Sequence, residues 1–152
     1  MLTIDNLENI VDAIVATIPE LSEKVEYVVD DDELTEKADA YNGAKPILMC
    51  LVPSSQGFGE ADNFGFISYL QFFVLKKTDS KKLTSKGSFL QIFKDLQPIV
   101  LDFLKKLVAA EDENGCQVFK DFNYNSVLVK PIRFKAQHNG WEIQIDQKEW
   151  TY

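Results

Sequence analysis

Apolar positions recur along this chain in two rhythms, one helical and one strand-like, and each predicts elements. Leu7, Ile10, Val11, Ile14 and Ile18 fall three or four residues apart, the spacing of an amphipathic helix. Asp5 with Glu8 reads as its capping box, with Asp in the Ser/Thr place, and Pro19 limits its far end. Residues 23–29 read as a short strand. The acidic run Asp30, Asp31, Asp32, Glu33 then opens a polar excursion, with one short helix, that ends at the turn signal Asn42-Gly43. From Pro46 to Val52 the chain is continuously apolar, which predicts a strand between Pro46 and Pro53, followed by a loop over 54–63. Residues 64–77 predict a long strand with apolar side chains on both faces, Phe64, Phe66, Leu70, Phe72 and Val74 against Ile67, Tyr69, Phe73 and Leu75. Such a strand needs cover on both sides, from a layer on each or from a neighbouring subunit.

A lysine-rich connection over 76–88 leads to a second major helix, capped by Ser88 with Gln91 and striped by Phe89, Phe93, Leu96, Val100, Phe103 and Leu107. Pro98 predicts a kink or two stacked pieces, because it lacks an N–H and clashes with the carbonyl of Lys94. Residues 117–122 and 126–137 read as further strands. Asn139-Gly140 then predicts a hairpin turn that pairs Ala136 with Ile143, Phe134 with Ile145 and Ile132 with Gln147 on one face. On the other face Lys135 meets Gln144 and Arg133 meets Asp146. The resulting expectation is one α+β domain over 1–152, an antiparallel sheet of about four to six strands on two main helices. Its element order is α-β-β-β-α-β-β-β.

Composition supports a single core: 152 residues, 45% hydrophobic and 12% aromatic. Charge adds an asymmetry. The net charge is −8, but residues 1–63 carry fourteen acids against three lysines, net −11, and residues 64–152 carry ten acids against thirteen bases, net +3. A chain this acidic, with Arg133 as its single arginine, is poorly suited to a phosphate backbone or to bidentate base readout, so no nucleic-acid partner is expected. Two cysteines, Cys50 and Cys116, make no disulfide framework and read as structural thiols in a reducing compartment. The acidic N-terminus does not read as a signal peptide, and no apolar stretch approaches the roughly 18 residues of a membrane span. The expected location is the cytoplasm where the protein is made, with no membrane partner.

Candidate chemistry thins out on inspection. His138, the single histidine, has no acid or second histidine at catalytic spacing and reads as a surface residue flanking a turn. His138 and the two cysteines form no metal motif. The Asp30–Glu33 run fails as a calcium loop because Thr35 stands where glycine is needed. Gly57-Phe58-Gly59 lies between strands and so is no dinucleotide fingerprint, and Ser54-Ser55 lacks a nucleophile elbow. Lys86-Gly87-Ser88 before a helix, with its neighbouring lysines, is the one electropositive feature. No catalytic, cofactor or metal residues are assigned, and the chain is read as a non-enzyme.

One resemblance covers most of the chain. Residues 45–53 (KPILMCLVP), the strand 64–75 (FGFISYLQFFVL), Lys76-Lys77-Thr78-Asp79 before the second helix, and the closing 139–145 (NGWEIQI) follow in a characteristic order. In that order the chain resembles the small tail-terminator and head–tail joining proteins of tailed bacteriophages and prophages. The resemblance implies a homo-oligomeric ring, commonly a hexamer, that ends tail growth or joins tail to head and contacts other virion proteins. The charge split suits head-to-tail contacts in such a ring. It places Asp30, Asp31, Asp32 and Glu33 of one protomer near Lys76, Lys77, Lys81, Lys82 and Lys86 of the next. The alternatives are an adaptor of a mobile element that forms no ring, and a small enzyme or ligand-binding domain with a site built from scattered residues.

Overall fold

A computed structural model describes residues 2–78, 85–111, 118–119 and 122–151. The elements are α1 (Ile4–Val15), β1 (Val25–Val28), α2 (Asp31–Ala40), β2 (Ile47–Glu60), β3 (Asn63–Lys77), α3 (Lys86–Val108), a 3-10 turn (Tyr124–Ser126), β4 (Leu128–Lys135) and β5 (His138–Thr151). The fold is α+β, with one five-stranded sheet in the order β1-β2-β3-β5-β4. The sheet is mixed rather than antiparallel throughout: β1 runs parallel to β2, and every other pairing is antiparallel. The short helix expected in the acidic excursion is α2, which follows β1 directly and packs Leu34 and Ala38 against the sheet.

The two-faced strand found in the sequence organises the core. Leu70, Phe72 and Val74 of β3 join Leu48, Cys50, Ile143 and Ile145 beneath α1 and α3. Phe73 and Leu75, on the opposite face, join Ile47, Met49 and Val28 beneath Leu34 and Ala38 of α2. Both faces are therefore covered within one protomer over the middle of the sheet, which removes this apolar area from water without a neighbour.

Helix ends are set by residues other than those the spacing picked out. Thr3 caps α1, its hydroxyl accepting from the Asn6 N–H at 3.2 Å, in place of the Asp5–Glu8 pair. Asp30 caps α2, accepting from the Glu33 N–H, while the Glu33 carboxylate reaches back to the Val29 N–H, each at 2.8 Å. The acidic run is thus a helix start, where carboxylates suit the positive end of the dipole. Ser85, not Ser88, is the N-cap of α3, and Ser88 is its reciprocal partner. Pro98 sits inside α3 without dividing it. In the same stretch of α3, the Phe93 carbonyl oxygen accepts from the Trp141 indole N–H at 3.1 Å, fixing α3 to β5.

Three strand expectations are corrected. Pro53 does not end β2; the pairing shifts register between Leu51 and Ser54, a bulge that absorbs the missing donor, and the strand continues to Glu60. The expected 54–63 loop is therefore mostly hairpin, closed at Ala61-Asp62. Of the expected 117–122 strand, Phe122 makes one bridge to Gln147, Val118 and Phe119 lie in a turn, and the rest lies outside the described residues. The closing hairpin turns at Ala136-Gln137, both at positive φ, with Lys135 paired to His138. Ile132 consequently pairs with Gly140, seven positions from the expected Gln147. An odd shift changes the face, so Ile132 packs on the α2 side and not beside Ile143.

Candidate functional site

Beyond the helices, three strands run on together. The distal halves of β2 (54–60) and β3 (63–69) pair with the end of β5 (146–151), forming an arm that the α2 core cluster does not reach. Its sequence is unusual for an exposed element. Within it, residues 54–59 and 63–69 contain no charged side chain, and the charges fall on Glu60 and on Asp146, Lys148 and Glu149 of β5. Aromatic enrichment with loss of charge is the compositional mark of a contact surface.

Register places the aromatic residues. Phe58, Gly65 and Trp150 share the face continuous with Phe73 and the α2 side; Phe64 and Phe66 share the other. Each aromatic lies beside a cross-strand glycine. A Cβ on Gly65 would overlap the Glu149 carbonyl oxygen and stand 2.7 Å from the Phe58 ring, and one on Gly57 would stand 2.9 Å from the Phe64 ring. The glycines thus make room for rings to lie flat on the sheet. Phe58 and Trp150 meet edge to face at 4.6 Å, and the Lys148 ammonium stands 5.5 Å over Phe58. Tyr69 (39% exposed) and Trp150 (37%) remain open to water on this face, and so does Leu128 (49%) on β4. The outer edge of β2 from Ser54 to Glu60 pairs with no described strand and carries neither lysine nor proline to block pairing.

Where the arm joins the body, Glu142 is buried on the same face. One carboxylate oxygen accepts from the side-chain amides of Gln71 and Gln144 at 2.6 and 2.5 Å and pairs with Lys130 at 3.1 Å. The charge is well compensated, so the cluster pins β3, β5 and β4 together and presents no reactive group.

Of the charged residues singled out in the sequence, the acidic run and Lys77 fall at opposite ends of α2. Asp30 and Glu33 cap its start, and Asp31 pairs with Lys135 of the same chain at 2.7 Å; Asp32 is exposed. At its finish, the Lys77 ammonium donates to the Asn42 side chain at 2.8 Å and to the Tyr41 carbonyl. Lys76 is half-buried on β3, Lys86 is exposed at the first turn of α3, and Lys81 and Lys82 lie outside the described residues.

His138 is not on the surface. It is fully buried, with its Nδ1–H donating to the Ala136 carbonyl at 2.6 Å and Nε2 without a partner among the described residues. Burial holds the imidazole below its usual pKa, and the nearby Lys77 charge pushes the same way. Cys50 is a free buried thiol pushed up to about 12, first by burial and then by Glu8 and Asp12, so it is a core group and not a nucleophile. The Tyr27 hydroxyl donates to Asp12 at 2.8 Å, and burial raises its pKa above the usual phenol range. Cys116 lies outside the described residues.

Among the described residues, no three His, Cys, Asp or Glu side chains converge as a metal site. No described helix is long and apolar enough to cross a membrane. A cleft at the foot of β1, lined by Ser22, Glu23, Lys24, Tyr41, Ala44 and Lys45, is open to solvent. The sequence signal for the arm was present, as a charge-free stretch, but it reads as core until the register shows which half is covered. No family model and no curated protein matches the chain.

Proposed function

We propose that the chain is a non-enzymatic assembly protein of a tailed phage or prophage, a tail terminator or head–tail joining component that works as a homo-oligomeric ring. The observation that carries this reading is the three-stranded arm, which extends aromatic surface, without charge over 54–59 and 63–69, beyond a core already complete within the protomer. A stable monomer has no use for such an element, whereas a chain that must meet copies of itself and other virion proteins does. The acidic first half and basic second half favour unlike, head-to-tail contacts, the kind that close into rings.

Disrupting the gene in its host and inducing the prophage tests the reading. Electron micrographs of the particles should show overlong tails if the protein terminates tails, or separate heads and tails if it joins them. Normal particles in normal yield contradict the proposal and favour an adaptor role outside the virion.

A further inference from the structure

We infer that the distal edge of β2, Ser54 to Glu60, pairs antiparallel with the same edge of a second copy of this chain, joining two sheets into one across a two-fold axis at Gly57. This rests on the reading of the protein as self-assembling and names the element that does it. The contact is isologous and closes at two copies; a larger ring takes a second, unlike contact as well.

The chemistry of the sheet edges points to this one. The described sheet ends in β4 on one side and in β1 on the other, and past the end of β1 the edge passes to β2. β1 offers a stretch of only four residues, Val25–Val28. β4 carries Pro131, the cations Lys130, Arg133 and Lys135, and a register shift between Ile132 and Lys135, all of which hinder the pairing of a further strand. Ser54 to Glu60 has no proline, no cation and no break in its pairing with β3. Alternate residues of such an edge turn their N–H and C=O outward, and another extended backbone matches that row group for group.

A second copy fits it in one register. β1 covers β2 as far as Leu51, and the hairpin turns at Ala61-Asp62. Antiparallel pairing centred on Gly57 uses the whole open stretch between them. A slip one way shortens the pairing, and a slip the other way drives the turn of one arm against β1 of its partner. In the centred register Ser54 meets the partner's Glu60, Ser55 the partner's Gly59 and Gln56 the partner's Phe58, so no like charges stand opposite. Paired residues share a face, which sets each Phe58 beside the other copy's Gln56, in line with Ile67 and Lys148. The aromatic, α2-side faces of the two arms thereby join on one side of the continuous sheet.

Charge substitution in the full-length chain tests the contact and its register, read as the self-association constant by sedimentation at low salt. Ser54→Glu sets a glutamate against Glu60 twice, once at each end of the contact, and should weaken association about tenfold. Glu60→Lys alone meets only a serine and should change it less than twofold. The double variant should recover most of the loss. Within one chain the two positions lie about 20 Å apart along the strand, so recovery comes from the antiparallel partner. Both positions are exposed, and unchanged circular dichroism and denaturation midpoints will show that folding is intact. Recovery in the double variant supports the contact. Association indifferent to Ser54→Glu, loss without recovery, or a gain from Glu60→Lys alone as large as the recovery overturns this contact while leaving self-assembly standing. A wild-type chain that stays monomeric at every concentration removes the contact and the ring reading together.

Discussion

At the residue scale, the closing hairpin shows how tertiary contact overrides a local signal. Asn139-Gly140 is the dipeptide a tight turn favours, yet Gly140 lies in β5, where a Cβ would overlap the Val74 carbonyl oxygen. The turn instead falls on Ala136 and Gln137, at φ of 46° and 60°, a conformation that side chains with a Cβ resist by about 1–2 kcal/mol each. Replacing this pair by Asn-Gly should therefore stabilise the protein, by about 1 kcal/mol in urea denaturation. His138 makes a second prediction. Its folded pKa is depressed, so as pH falls through the ordinary imidazole range the unfolded chain takes up a proton that the folded chain refuses. Stability should thus be full above the unfolded pKa of about 6.5 and decline below it. Since His138 is the single histidine, His138→Phe should flatten the stability profile between pH 7 and 5. A wild-type profile that is already flat there would contradict the burial argument.

At the element scale, the sequence was legible wherever an apolar stripe met a core. The stripes of α1 and α3, the apolar run of β2 and the two-faced β3 all stand where their spacing put them. Boundaries were less legible, because caps are decided by single hydrogen bonds that Thr3 and Ser85 make as readily as Asp5 and Ser88 could. The 54–60 half of β2 was hidden by composition: serine and glycine read as loop, but here the glycines seat rings on a sheet. That account can be tested on the arm. Gly65→Ala forces backbone apart at Glu149 and should cost about 2–4 kcal/mol in denaturation experiments. Gly57→Ala presses on the movable Phe64 ring alone and should cost less than half as much. Equal costs would mean the rings are not seated as described.

At the scale of the whole molecule, the sheet divides into a body covered on both faces and an arm that the α2-side core cluster does not reach. The sequence announced two-sided burial of β3 and left open whether a layer or a neighbour supplied it. Helices supply it for residues 70–75, and no α2-side core cluster extends to 63–69. The charge split has an internal part as well, since Asp31 meets Lys135 and Lys77 meets the end of α2 within one chain. What remains outward is the aromatic, α2-side face of the arm and the open edge of β2 beside it, the surface through which we propose that copies of the chain meet. Native mass spectrometry of the full chain at micromolar concentration and low ionic strength tests this most directly. The account predicts one dominant species at a fixed multiple of 17.3 kDa, giving way to smaller species as salt is raised. A mass of one chain under every condition would contradict it.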